Sequence, residues 1–179
     1  MRATKRLTVS AMAVALGTVF MIIGAVFEIM DLTAAALSSL VVAVIYIEIG
    51  SPYTFLVWLC TSLATALMYP GSIMWIMYLV MFGIYPIVKG YIERLRRPLW
   101  LPLKLLFGNA AMALAFAGCW FILGISMTDE GLFGLPAEAV WALLIIVVNV
   151  MLVAYDAFIS VMMRFYMQRL HPVLNKILK

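Results

Sequence analysis

The chain alternates long apolar stretches with short polar breaks, and the breaks leave six apolar runs: about 7–27, 32–49, 53–68, 73–93, 99–126 and 138–168, the last extending towards Leu170. The first, Leu7 to Phe27, is about 21 residues, enough to cross roughly 30 Å of hydrocarbon as a helix. Glu28 and Asp31 close it. Gly50-Ser51-Pro52 ends the second run and starts the third, because glycine and proline punctuate helices and proline suits the first helical turn. Tyr69-Pro70-Gly71-Ser72 separates the third from the fourth, and Asp129-Glu130-Gly131 with Gly134-Leu135-Pro136 separates the fifth from the sixth. The pattern predicts an all-α integral membrane bundle of six transmembrane helices forming a single domain over 1–179.

Composition fixes the class. The chain is 67% hydrophobic and 11% charged, against about 25% charged in soluble domains. Charge then fixes an expected topology. All 12 Lys and Arg fall into three clusters: Arg2/Lys5/Arg6, Lys89 to Lys104, and Arg164 to Lys179. Cytoplasmic segments hold such cations in excess. Six crossings put all three clusters, and both termini, on the cytoplasmic side of a cell membrane. Glu28, Asp31, Asp129, Glu130 and Glu138 then fall on the outer side. The basic start followed by an apolar run resembles a signal peptide, but the run exceeds the usual core of about 7–15 residues, so it is read as a retained first helix. The net charge of +4 does not point to nucleic acid, because the cations sit where topology and anionic lipid head groups account for them. Val173, Leu174, Ile177 and Leu178 alternate with polar residues beyond His171-Pro172, a pattern that suits a short helix on the inner membrane surface.

Polar residues inside the runs are the candidate chemistry, since an ionisable or amide group in a bilayer is a functional candidate by default. Asn149 and Asp156 share a face of the sixth helix, and Asn109 lies in the inner half of the fifth. Together they predict an intramembrane polar cluster, either an interhelical packing network or a ligand or proton site. Glu48 sits at the inner end of the second helix. In the outer half, Tyr69, Trp75, Tyr78, Trp120 and Trp141, with Glu28, Asp31 and Asn149, are candidate lining for an outward-opening substrate pocket between helices four, five and six. The same rings equally suit an interfacial aromatic belt. Lys89 and Glu93 are four apart and face each other on a helix. The loop they introduce, to Lys104, reads as a topology anchor with snorkelling cations or as a docking site for a cytoplasmic partner. Ala11/Ala15, Ala13/Gly17, Ala111/Ala115 and Ala113/Ala117 are small pairs that let helices approach closely.

Enzymatic readings find no support. His171 is the single histidine, Cys60 and Cys119 are read as free, buried thiols, and no phosphate loop or zinc motif occurs. No enzyme activity, metal or cofactor is expected.

The basic N-terminus, the A-x-x-x-A of Ala11 to Ala15, and six helices in under 200 residues resemble the substrate-binding subunit of an energy-coupling factor transporter. Asp31-Leu32-Thr33 is similar to a short polar stretch opening the second helix in many members. The first outer loop, Glu28 to Asp31, is shorter than is usual there. The resemblance implies capture of a vitamin or other small nutrient in a pocket of the outer half. It implies that Ala11 and Ala15 contact a transmembrane coupling subunit, and that cytoplasmic ATPases supply the energy. The alternative is a structural membrane protein of a cell-shape or envelope complex, similar in size and span number to the rod-shape protein, with no small ligand. The topology is tested by a reporter fused after Lys179, which should be active only in its cytoplasmic form; activity restricted to the outer face would overturn it.

Overall fold

The computed structural model describes residues 3–27, 30–124 and 137–171, with the backbone alone at 137–139 and 170. Every regular element among them is helical: α1 (Ala3–Phe27), α2 (Asp31–Glu48), α3 (Ser51–Met68), α4 (Met74–Met77), α5 (Tyr85–Ile92), α6 (Trp100–Leu123) and α7 (Ala137–Phe165). A π-helical segment, Tyr78–Phe82, joins α4 to α5; a 3₁₀ turn, Arg97–Leu99, leads into α6; and a second π segment, Tyr166–Leu170, extends α7. Six stretches are long and apolar enough to cross a membrane, with α4 and α5 together making the fourth, Met74–Ile92. The protein is therefore a multi-pass helical membrane protein. Its outward faces carry side chains that only lipid would solvate, such as Leu67 at 84% and Phe121 at 81% exposure.

The inside of the bundle is built from small residues as much as from large ones. α1 packs against α2 and α3 through Ala13, Gly17, Gly24, Ala34, Ala35 and Ser38, all buried. In lipid there is no hydrophobic drive between helices, so close backbone approach and dispersion hold them. Ala11 and Ala15, one step round α1, are exposed. On α3 the buried face reads Thr54, Val57, Thr61, Ser62 and Thr65, which accounts for its mean hydropathy of 1.3, the lowest of the six spans. Thr54, Ser62 and Thr65 return their hydroxyls to the carbonyl four residues back, at 2.8–2.9 Å, so these polar groups enter the core already satisfied.

The fourth span is broken, and two of the carbonyls at the break accept side-chain donors. Within the π segment the Gly83 N–H reaches back five residues to the Tyr78 carbonyl at 2.8 Å. The Leu79 carbonyl, which Gly83 would bond in an α-helix, instead accepts the Trp58 indole N–H at 3.0 Å. Pro86 has no N–H, which deprives the Phe82 carbonyl of its helical partner; the Tyr155 hydroxyl from α7 lies 3.1 Å from it. The break is thus stitched to α3 on one side and α7 on the other.

Two sequence expectations change here. Cys60 is exposed on the outward side of α3, and Cys119 alone of the two is buried. The fifth span closes at Leu123 instead of near 126, because Gly124 adopts a left-handed φ of 65° and ends α6.

The stitch predicts a sharp dependence on Gly83. A Cβ there would lie 2.5 Å from Trp58 Cδ1 and 2.9 Å from the Tyr78 ring. Both rings are pinned, so Gly83→Ala should cost about 1–3 kcal/mol. Gly71, with no atom within 4 Å of an added Cβ, should accept alanine without loss. Thermal unfolding of the detergent-solubilised protein compares the two.

Candidate functional site

The clusters of Lys and Arg define one end of the bundle, and the turns at 28–31 and 69–72 define the other; these are the basic and acidic ends below. About two turns in from the basic end, α5, α6 and α7 converge on one carboxylate. Asp156, on α7, receives Lys104 from α6, whose Nζ is 2.9 Å from both carboxylate oxygens. Lys89 from α5 bonds Asp156 Oδ1, and the Tyr85 hydroxyl donates to the same oxygen at 2.8 Å. Lys89 also donates to Ser160 Oγ at 2.6 Å. Glu93 closes the ring, with Oε1 3.2 Å from Lys89 and 2.9 Å from Lys104. Two ammonium groups and two carboxylates thus neutralise one another. Both lysines are 7% exposed, so they do not snorkel as expected; their ammonium groups turn inward to a counter-charge.

The predicted polar cluster of Asn109, Asn149 and Asp156 is therefore split. Asn109 and Asn149 pair with each other, amide to amide, at 2.9 and 3.2 Å. Each also donates to the carbonyl four residues back at 2.8 Å. All four amide N–H groups are consumed, which matches the packing role. Asp156 lies seven residues from Asn149, about 10 Å along the helix, and belongs to the lysine network instead. The reason is register. α6 and α7 are antiparallel, so the alignment that pairs Asn109 with Asn149 brings Lys104, five residues back on α6, level with the stretch five residues forward on α7, half a turn from Asp156. Close approach of the same helices at Gly108, where a Cβ would meet Leu152 Cδ2 at 2.4 Å, fixes that alignment.

A second cluster at the basic end holds Glu48. Its Oε1 accepts the Tyr166 hydroxyl at 2.6 Å and lies 2.7 Å from His171 Nδ1. The carboxylate, 9% exposed, ties α2 to the end of α7 rather than reaching for head groups.

A third cluster lies in the half of the bundle nearer the acidic end. Ser38 Oγ, Thr61 Oγ1 and the Tyr78 hydroxyl face one another and have no hydrogen-bond partner outside their own cluster, although all three residues are 0% exposed. They come from α2, α3 and the π segment. Ser38 Oγ and Thr61 Oγ1 lie 3.1 and 3.3 Å from where a Cβ on Gly17 would sit, and Tyr78 faces both hydroxyls. Each unsatisfied buried group costs about 1–3 kcal/mol.

The aromatic candidates do not assemble into one pocket. Tyr78 is in the core, among α1 to α4. Trp75 donates its indole N–H to the Pro70 carbonyl at 3.1 Å, and Tyr69 is an exposed cap of α3. Trp120, 63% exposed, rests on Phe121, and Trp141 packs edge-on against Phe116. Asp31 opens α2, where a negative charge suits the helix dipole. Glu28 lies outside the described residues, as do Asp129 and Glu130, and the Glu138 side chain is likewise undescribed. A cavity of about 470 Å³ exists at the opposite, basic end, between α2, α5 and α7, and none of the aromatic candidates lines it. Among the described residues no group of His, Cys, Asp and Glu could hold a metal ion. Comparison with protein-family models, characterised proteins and solved structures returns no match.

Lys89, Lys104 and Tyr85 as partners of Asp156 are not in the sequence reading. The available signal was depth: Lys89, Lys104 and Asp156 each lie five to eight residues inward from the Arg nearest the basic end of its span.

Removing Asp156 would strand two buried lysines on one glutamate. Asp156→Ala should destabilise the protein by about 3–5 kcal/mol. Adding Lys104→Met to that variant should recover part of the loss, because the surplus charge is removed. Thermal unfolding of the single and double variants measures the coupling, and strict additivity would contradict the network.

Proposed function

We propose that this chain is the substrate-capture subunit of an uptake transporter for a vitamin or similar small nutrient. It would sit in the cell membrane with its basic end and both termini cytoplasmic. The observation that carries the reading is the set of three fully buried hydroxyls at the break in the fourth span, which face one another and have no partner outside their own cluster. Transporters build solute sites where spans are discontinuous near the bilayer interior, and π turns inside helices recur at functional positions. Ser38 and Thr61 are seven residues from the acidic ends of their helices and Tyr78 four from the start of α4, a depth of about 6–10 Å. A solute with hydrogen-bonding groups would satisfy what α2, α3 and the π segment leave open. The ligand contacts are thus proposed on helices one to four, with Tyr78 retained from the aromatic set.

The exposed pair Ala11 and Ala15 supports a partner helix on the outer face of α1. That partner is the proposed coupling subunit, and cytoplasmic ATPases are the proposed energy source, since the sequence carries no nucleotide motif of its own. The second reading, a structural protein of an envelope complex, is favoured by one observation: Trp120 and Trp141 turn outward instead of enclosing a ligand.

Native mass spectrometry of the purified full-length protein separates the two. A co-purified small molecule is expected. Tyr78→Phe should weaken its retention about threefold to tenfold, the value of one hydrogen bond, with no loss of thermal stability. Wild-type protein that carries no small molecule when purified from nutrient-rich medium would favour the structural reading.

A further inference from the structure

The cavity at the basic end is unlike the hydroxyl cluster in its chemistry. Its apolar lining includes Ile47, Ile159, Met163 and Met167, with Tyr46 on α2 and Ser160, Arg164 and Gln168 on α7 and its extension among the polar groups. At about 30 Å³ each, roughly fifteen waters would fill 470 Å³, but so apolar a wall offers them few partners. Lys89 and Glu93 also reach the cavity, yet they are spent on each other, on Lys104 and on Asp156, and that set is neutral. The charge left over is Arg164. Among the described residues its guanidinium makes one long bond, Nε to the Ser160 carbonyl at 3.4 Å. Arg94 adds a second positive charge beside the cavity, held to the Tyr46 hydroxyl at 3.2 Å. The cavity lies level with the ends of α2 and α5, at head-group depth if the six helices span a bilayer.

A soluble anion would have no use for the isoleucine and methionine wall, and a neutral lipid would leave the arginines unanswered. We propose that this cavity is a binding site for an anionic phospholipid, with the phosphate on Arg164 and the upper acyl chain against Met163, Met167 and Ile47. Basic pockets between transmembrane helices recognise head groups in this way, and guanidinium matches phosphate with paired N–H donors. The lipid would fill the gap between α2 and α7 beside the Lys89–Asp156 network. This site is separate from the hydroxyl cluster, so its failure leaves the transport reading untouched.

The test is lipid titration of the full-length protein in detergent, read by native mass spectrometry. Phosphatidylglycerol and phosphatidylcholine with the same acyl chains are compared. Wild-type protein should retain phosphatidylglycerol at least tenfold better. Arg164→Gln should bring it down to the phosphatidylcholine level, and Arg164→Lys should keep most of the preference. Met163→Trp, which fills the cavity and leaves Arg164 in place, should reduce both lipids. Thermal unfolding of each variant checks that it is folded. Equal retention of the two lipids by wild-type protein, or undiminished phosphatidylglycerol binding by folded Arg164→Gln and Met163→Trp, would overturn the site. Displacement of the lipid by inorganic phosphate alone would overturn the acyl-chain seat.

Discussion

The neutral ring of Lys89, Asp156, Lys104 and Glu93 is the constraint from which the basic half of the bundle follows. A charged side chain inside a bilayer costs about 2.5–3.5 kcal/mol on insertion scales, and four of them are tolerated here because each finds its opposite within about 3.2 Å. The attraction is directional as well as strong. Lys104 must approach Asp156 along α6, and Lys89 along α5, which leaves α7 one axial position relative to both. The Asn109–Asn149 pair and the Gly108–Leu152 approach agree with that position on the same helix pair.

The acidic half is held by different means. Small residues bring α1 to α2 and α3, and hydroxyls on α3 mostly answer their own helix. The break in the fourth span is tolerated because side chains replace the lost backbone donors: Trp58 for Leu79, Tyr155 for Phe82. The Ser38, Thr61 and Tyr78 hydroxyls lie beside that break with no partner outside their own cluster, and Ser10 and Thr18 on α1 are likewise buried without a hydrogen-bond partner.

The six helices were legible because apolar runs and turn residues are read locally. The Asn109–Asn149 contact was legible because two amides in facing helices have few other partners. The lysine network was not, because a cation near the end of a span ordinarily extends to the interface; only depth along three separate helices reveals that Lys89, Lys104 and Asp156 meet. The aromatic pocket failed for a related reason. Trp120 and Trp141 fit a belt or a pocket equally well by composition, and helical phase alone decides which way they point. In the fourth span even phase misleads. The π segment inserts an extra residue into the turn, so faces counted at 3.6 residues per turn from Trp75 no longer hold beyond Phe82. Tyr78, at the start of that segment, precedes the shift, and helical phase already separates it from Trp75: Tyr78 is in the core, while Trp75 is only partly buried.

The two ends of the molecule therefore offer ligands opposite terms. Near the acidic end the open groups are neutral hydroxyls, fully buried, beside a helix whose hydrogen bonding is already interrupted. Near the basic end the charges of Lys89, Lys104, Glu93 and Asp156 cancel, and two arginines, Arg94 and Arg164, flank an apolar cavity. A single ligand would not suit both. The first environment favours a compact polar solute that replaces missing hydrogen bonds. The second favours an amphiphile that belongs to the bilayer. In the reading proposed here, a bound lipid would stabilise the packing of α2 against α7 while the solute is handled in the other half, across the break that α3 and α7 hold together.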